Sequence, residues 1–240
     1  MEKYILIGES KIWTIKTGAG IPLILCNGGP GCDDYLEPVA KILEKRCEVV
    51  RFEPRGCGRS DYDGQYDLDT TINDIDQIRR AYGFEKILIA GHSAGVDFAL
   101  AYTLHFPRHV EGMIGISGGR IVNDREWSAV YKQNRSEFGE DYGGKVFTAD
   151  PEVNRVGNQS WRKYIQRPGL LREIADIEIP VVFLLGEKDI RPAWPTQQLA
   201  LLISKGRYRE IAGAAHNIWL THSMELEQEL DLALDWIYEL

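Results

Sequence analysis

Hydrophobic positions along the chain fall into short runs whose spacing predicts the secondary structure. The first two runs, residues 3–8 and 11–16, lie on either side of the turn-prone pair Glu9 and Ser10 and predict an antiparallel hairpin. From residue 22 onward, apolar runs such as PLILC and KILIA alternate with segments of helical period. Because continuous apolar strands are buried on both faces, the pattern predicts an α/β fold with a mostly parallel sheet covered by helices on both sides.

The alternation stops between residues 120 and 176. This segment is polar and carries scattered tryptophans and tyrosines. Two interpretations remain open: an inserted lid above the carboxyl ends of the strands, where ligands bind in open α/β sheets, or a long surface excursion. The lid interpretation divides the chain into a core of residues 1–119 and 177–240 and a lid of residues 120–176.

The composition is that of an ordinary globular protein. Hydrophobic residues make up 44% of the 240 positions and charged residues 27%, which excludes a disordered or fibrous chain. Apolar runs stay well below the roughly 20 residues that a membrane helix needs. The first residues lack the basic start and apolar stretch of a secretion signal, so we expect a cytoplasmic protein without membrane association.

The charge balance argues against nucleic acid as a partner. With 28 basic and 36 acidic residues the formal charge is −8, which repels phosphate backbones, and the sequence shows no local basic patch. The cysteines occur neither as a CxxC pair nor at zinc-ligand spacing with histidine. We expect reduced thiols, no metal and no cofactor, and a small-molecule substrate; the oligomeric state is not indicated.

The segment GHSAG, residues 91–95, predicts a nucleophile elbow. It follows a buried strand and precedes a helical pattern, which is the context in which a GxSxG serine is lifted above the sheet. Gly91 and Gly95 supply the clearance that such a turn requires. Ser93 is therefore the candidate nucleophile, while His92 is expected to project to the other side and support the turn.

A serine nucleophile needs a base and an acid that orients this base. His216 lies in the small-residue loop AGAAHN after the last strand, and Asp189 ends the run VVFLLGEKD. The resulting order of serine, acid and histidine is typical of this scaffold. Glu187 remains a rival for the acid, and His222 remains a rival for the base.

The loop NGGPG, residues 27–31, predicts one side of an oxyanion hole. Its glycines let the backbone turn sharply after a strand, which exposes an N–H group without an obstructing side chain. We assign the backbone N–H groups of Gly29 and Ala94 as the two donors. A phosphate-binding loop is the alternative, but neither GxxxxGK[ST] nor GxGxxG is present.

With these motifs, the chain resembles the α/β-hydrolase superfamily and, within it, is most similar to the proline iminopeptidase branch. NGGPG stands where that branch has HGGPG, and RGCGRS stands in its RGxGxS turn. The resemblance covers residues 20–120 and 180–240 and implies an eight-stranded, mostly parallel sheet with an inserted lid. The chain departs from the branch at Asn27, at Glu53 and in the elbow, where iminopeptidases tend to have GGSWG.

These observations predict a serine hydrolase that cleaves a small ester or related acyl compound through an acyl-enzyme. A proline iminopeptidase-type aminopeptidase is one alternative, and a ligand receptor that keeps the triad but turns over little is another. The resemblance implies lid carboxylates that hold a substrate ammonium, for which the candidates are Glu126, Glu137, Glu140 and Asp141. Candidate aromatic side chains for an apolar wall are Trp127, Tyr131 and Trp161.

Overall fold

The computed structural model of the protein describes residues 1–121, 125–140 and 147–239. Across these ranges, eight strands join in a single sheet. The strands are β1 (Glu2–Ile7), β2 (Ser10–Gly18), β3 (Ile21–Cys26), β4 (Cys47–Phe52), β5 (Ile87–His92), β6 (Val110–Ile116), β7 (Val181–Gly186) and β8 (Gly206–Ile211).

The sheet order is β1-β2-β4-β3-β5-β6-β7-β8. β1 pairs antiparallel with β2, and β2 pairs antiparallel with β4, while every later pair is parallel. The predicted hairpin and the eight-stranded, mostly parallel sheet are therefore confirmed. β5 and β7 are buried at all six positions, which explains why both appear as continuous apolar runs.

Helices cover both faces of the sheet, and two hydrophobic clusters, one on each face, form the core. Capping residues in the sequence define helix ends. For example, the Asp67 side chain caps the helix that follows it by accepting the Thr70 N–H at 2.9 Å. The helices of the described residues are α1 (Glu37–Leu43), α2 (Leu68–Ala81), α3 (Ala94–His105), α4 (Arg125–Phe138), α5 (Pro151–Tyr164), α6 (Leu170–Ala175), α7 (Trp194–Leu202) and α8 (Ser223–Glu239).

Between β6 and β7, where the sequence pattern breaks, the described residues form α4, α5 and α6, which we call the helical insertion. Asp150 caps α5 by accepting the N–H groups of Glu152 and Val153. The insertion rests on the core through several hydrogen bonds, including Ser160 Oγ, which accepts the Leu68 N–H at 2.9 Å. These residues therefore do not form an irregular surface excursion. The division into a core and a lid stays a prediction.

None of the helices in the described ranges combines the length and apolar character that crossing a bilayer requires.

Candidate active site

Ser93 occupies a strained turn between β5 and α3. Its φ of 56° and ψ of −122° lie where L-residues are rarely found, at a cost of order 1–3 kcal/mol. The flanking glycines explain how the turn is tolerated. A Cβ on Gly91 would lie 2.2 Å from the Gly95 oxygen, and a Cβ on Gly95 would lie 2.2 Å from the Cys26 oxygen. The sequence from 91 to 95 therefore forms the tight strand-to-helix turn that its pattern predicts.

Asp189 and His216 meet although they are 27 positions apart. Asp189 follows β7, His216 follows β8, and the Nδ1 of His216 lies 2.6 Å from Oδ2 of Asp189. Both side chains are buried, at 8% exposure for His216 and 3% for Asp189. Because an ionised carboxylate can only accept, the contact assigns the proton to Nδ1 and leaves Nε2 as the basic nitrogen.

Ser93 and His216 line one cavity of about 220 Å³, which we call the nucleophile cavity. Gly29 and Tyr35 belong to the same wall. The candidate nucleophile, the candidate base with its carboxylate partner and a glycine-rich loop thus surround one space, an arrangement that suits covalent acyl transfer.

The N–H groups of Gly29 and Ala94 have no acceptor among the described residues. Ala94 is the first residue of α3, so its N–H is one of the donors that a helix leaves unpaired at its N-terminus. The neighbouring Gly28 N–H instead donates to the Tyr35 hydroxyl oxygen at 2.9 Å. Gly29, Ala94 and Ser93 also share a second cavity of about 450 Å³, bounded by α4 and α5, which we call the insertion cavity.

His92 connects two loops of the site through hydrogen bonds. Its Nδ1 accepts the Tyr35 O–H at 2.7 Å, and its Nε2–H donates to the backbone oxygen of His216 at 3.2 Å. Burial, with a smaller contribution from His216, lowers the pKa of His92 well below its usual range, so the ring stays neutral as this pattern requires. Tyr35, which the sequence analysis missed, completes the network from the Gly28 loop to the His216 loop.

Arg191 tunes the electrostatics of the pair. Burial raises the pKa of Asp189, but His216 and Arg191 outweigh it and lower the value to about 2, so the carboxylate stays ionised. Burial, followed by the positive charge of Arg191, lowers the pKa of His216, while Asp189 acts in the opposite direction. His216 is therefore neutral at pH 7 and able to accept a proton. Arg191 Nη1 lies 3.2 Å from Asp189 Oδ1.

The rival residues lie elsewhere. Glu187 is exposed and accepts the Gly213 N–H at 2.7 Å, and His222 Nδ1 lies 2.8 Å from Thr221 Oγ1. Both line an outer cavity of about 750 Å³, which borders Asp189 but not Ser93. The geometry thus favours Asp189 and His216 over these alternatives.

Two of the predicted substrate contacts border the insertion cavity. Trp127 and Tyr131 lie one helical turn apart on α4 and face this space. The Trp127 Nε1–H donates to the Pro192 oxygen at 3.2 Å, and the Tyr131 O–H donates to Glu140 at 2.6 Å. Both rings are therefore fixed in place beside the cavity that contains Ser93.

Three other predicted contacts lie away from these cavities. Trp161 packs in the core, 5% exposed, and donates its Nε1–H to the Arg120 oxygen at 3.2 Å. Glu126 and Glu137 are exposed on α4, about a quarter turn around the helix from Trp127, because each residue advances roughly 100°. None of the three lines a cavity that contains Ser93.

The remaining predicted carboxylates are Glu140 and Asp141. Glu140 is engaged by cations already, at 3.2 Å from Arg191 and 3.5 Å from Arg135. Asp141 lies outside the described residues.

Asp97, which is not among the residues predicted from the sequence, lies one turn after Ser93 on α3 and lines the insertion cavity. Its Oδ1 is buried without a hydrogen-bond partner. Burial raises the pKa of Asp97 well above its usual range, although the charge and the backbone N–H of Arg120 oppose this shift. The available signal was an acidic residue in the apolar sequence AGVDFALAY, where a structural role on the surface is not expected.

The departure at Glu53 has a structural explanation. Glu53 is buried and accepts the backbone N–H groups of Asp34 at 3.0 Å and Arg59 at 2.6 Å. The Arg59 guanidinium also pairs with it, at 2.7 Å. The carboxylate therefore fixes the RGCGRS turn rather than taking part in the cavity of Ser93.

Comparison with known proteins places this geometry in a family. The family model described as alpha/beta hydrolase fold matches residues 21–156, more than half of the chain, and includes the Gly29 loop and the Ser93 turn. The chain belongs to the α/β-hydrolase family.

Curated relatives of this α/β-hydrolase chain include proline iminopeptidases, which confirms the resemblance to that branch. The protein from Saccharolobus solfataricus is 34% identical over 113 residues, 45% of this chain and 36% of its own length. That from Neisseria gonorrhoeae is 26% identical over 220 residues, 80% and 71% of the two chains. The chain spans about a third of the length of the first curated relatives that it matches.

Solved structures share the fold. A thermophilic esterase from Thermogutta terrifontis superposes with a TM-score of 0.79 at 18% identity, covering 99% of each chain. At this identity the likeness concerns the fold alone.

Proposed function

We propose that this member of the α/β-hydrolase family is a serine hydrolase that cleaves a small ester or related acyl compound. The observation that carries the proposal is the 2.6 Å contact between His216 and Asp189, with the imidazole on the cavity of Ser93. A neutral, oriented imidazole that lines the same cavity as a strained serine is the arrangement expected to turn an alcohol into a nucleophile at pH 7.

The reaction follows from these positions. Ser93 Oγ attacks the substrate carbonyl while His216 Nε2 takes its proton, and the N–H groups of Gly29 and Ala94 bind the resulting oxyanion. His216 returns the proton to the leaving group as the acyl-enzyme forms. Water then attacks the acyl-enzyme by the same steps and releases Ser93. Asp189 holds the imidazole throughout and stabilises its protonated form.

The helical insertion is proposed to act as a lid, residues 120–176, on a core of residues 1–119 and 177–240. Asn154 donates to the Pro30 oxygen at 2.8 Å, and the Asp150 N–H donates to the Gly31 oxygen at 3.0 Å. These bonds support a role in holding the loop of Gly29 and in excluding water from the acyl-enzyme.

An aminopeptidase of the proline iminopeptidase type is the second candidate, because the relative from Neisseria gonorrhoeae is similar over 80% of the chain. Its substrate would present an ammonium that needs a free carboxylate. Glu126 and Glu137 are exposed away from the cavities of Ser93, and Glu140 is paired with Arg135 and Arg191. The charges therefore favour the ester.

The test is a panel of p-nitrophenyl esters run against proline β-naphthylamide. We expect hydrolysis of short esters, its loss in Ser93→Ala, and unchanged rates in Ser136→Ala, which removes an exposed hydroxyl from α4. Turnover of the proline amide alone would replace the ester proposal with the aminopeptidase. Labelling of Ser93 by a fluorophosphonate without turnover of any compound would indicate a receptor.

A further inference from the structure

The residues that line the insertion cavity carry a net positive charge, whereas the whole chain is negative. Although the protein carries a formal charge of −8, cationic side chains outnumber acidic ones around this space. The cationic residues are Arg120, Lys132, Arg135, Arg162 and Arg191, and the acidic residues are Asp97 and Asp189. An electropositive cleft attracts anions and repels cations.

The cluster is assembled by the fold and is not visible along the sequence. Lys132 and Arg135 lie on the face of α4 that also carries Trp127 and Tyr131, and Arg162 lies one turn after Asn158 on α5. Residues three and four apart on a helix share a face, so α4 and α5 both direct basic side chains towards one space. The basic patch that the sequence does not show is thus formed by α4 and α5 together with Arg120 and Arg191.

The basic side chains of the insertion cavity differ in whether they form ion pairs. Arg191 is held by Asp189 and Glu140, and Arg135 lies 3.5 Å from Glu140. For Lys132 and Arg162, by contrast, the described part of the chain offers no ion pair. These two side chains are exposed and keep their charges available to a ligand.

Asp97 does not cancel this charge. Its Oδ1 is buried without a partner, and burial raises its pKa well above the usual range, which favours the protonated form over the charged one. A neutral carboxyl donates its O–H, and an anionic oxygen is the acceptor that such a buried donor binds best. Among the described residues, Asp97 Oδ1 and Ser117 Oγ are the unpartnered buried side-chain oxygens of the cavity wall, and the protonated Asp97 carboxyl suits an anion as well.

The geometry also indicates which half of the substrate carries the anion. The leaving group takes its proton from His216, which lines the nucleophile cavity but not the insertion cavity. The insertion cavity contains Ser93 and both oxyanion donors. The insertion cavity is thus where the acyl group of the substrate would bind. The anionic group at the far end of such an acyl chain is a second carboxylate.

We propose that the insertion cavity binds an acyl group ending in a carboxylate, between Lys132, Arg162 and Asp97, so that the substrate is a monoester of a dicarboxylic acid. The inference rests on the serine-hydrolase function proposed above and specifies its substrate class. Hydrolysis would release the free dicarboxylate and an alcohol.

Three ethyl esters with the same tetramethylene spacer test the proposal. Monoethyl adipate ends in a carboxylate, ethyl 5-carbamoylpentanoate in a neutral amide, and ethyl 5-aminopentanoate in an ammonium. We expect kcat/KM for the carboxylate ester to exceed that for the amide ester by about tenfold or more, since charge-assisted hydrogen bonds are the stronger class. The ammonium ester should be the poorest substrate.

The double variant Lys132→Gln with Arg162→Gln should bring the ratio of carboxylate to amide ester towards one. Lys163→Gln is the matched control, because it removes a positive charge from the exposed residue next to Arg162, which does not line the cavity. It should leave the ratio unchanged. A wild-type enzyme that prefers the amide or ammonium ester, or shows no preference, would overturn the inference while the serine hydrolase stands.

A binding measurement separates this failure from failure of the proposed function. Calorimetry with Ser93→Ala and monoethyl adipate should show binding that the added Lys132→Gln and Arg162→Gln changes weaken by about tenfold. If no ester is cleaved, such binding would still support an anion site in a chain that is not a hydrolase. Absence of binding would overturn the site itself.

Discussion

The sheet edge and the helical insertion supply opposite sides of the same candidate site. Different kinds of contact position the side chains in each region. At the sheet edge, strand ends and close backbone contacts fix Ser93, Asp189 and His216. In the insertion, the faces of α4 and α5 position side chains such as Lys132 and Arg162. The proposed reaction thus rests on backbone geometry that tolerates little change, and the proposed substrate selection rests on helix faces that tolerate much more.

The largest expected effect contrasts two carboxylates that both contact Arg191. Asp189→Asn should lower kcat for ester hydrolysis by about 10⁴-fold, because the amide would hold His216 in the wrong tautomer. Glu140→Gln, in the insertion, should cost less than about tenfold, since it alters contacts with Arg135, Arg191 and Tyr131 but none with His216. Steady-state hydrolysis measures both. Equal losses in the two variants would remove the distinction between the regions.

A Cβ added to a glycine tests the same contrast in stability. In Gly95→Ala the methyl group would meet the Cys26 oxygen at 2.2 Å, so unfolding in urea should show a loss of about 3 kcal/mol. In Gly157→Ala on α5 the methyl group would meet the Pro30 ring, at 2.8 and 2.9 Å, with the Tyr66 oxygen at 4.0 Å, and the helix gains propensity of about 1 kcal/mol.

We therefore expect Gly157→Ala to change the free energy of unfolding by less than about 1 kcal/mol. A larger loss than in Gly95→Ala would mean that the insertion is packed as rigidly as the sheet edge.

The sequence predicted the sheet edge well because its constraints are local. Gly91, Gly95 and the residues between them form a turn whose sterics can be read from five adjacent letters, and strand ends of a parallel sheet meet at one edge. The eight-stranded fold followed from the resemblance and the alternation of runs. Asp189 and His216 remained predictions until their contact placed them together, and their catalytic role remains one.

The insertion was predicted poorly because no local rule fixes which helix face meets the core. Trp127 and Trp161 are the same residue type in the same polar segment, yet one borders the cavity and the other packs in the core. Asp97 and the basic cluster depend on contacts between α3, α4 and α5, which no single segment encodes.

The smallest expected effect concerns pH. The positive charge of Arg191 helps to lower the pKa of His216, and His216 must be neutral to act as a base. Activity is thus lost as the pH falls through this pKa. In Arg191→Gln the pKa rises, and the acid limb of kcat/KM against pH should move to higher pH by up to about one unit.

Arg135→Gln is the control for this shift, because Arg135 pairs with Glu140 but does not contact Asp189. Its acid limb should stay where it is in the wild type. Movement of the Arg191→Gln limb to lower pH would contradict the assigned electrostatics.

The most direct test of the central claim is mass-spectrometric mapping of a fluorophosphonate adduct in the wild type and in His216→Ala. Ser117 is a stringent internal rival, since it also has a positive φ and lines the insertion cavity. We expect an adduct on Ser93, formed at least about 100-fold more slowly without His216. An adduct on Ser117, or labelling of Ser93 at the same rate in both proteins, would contradict it.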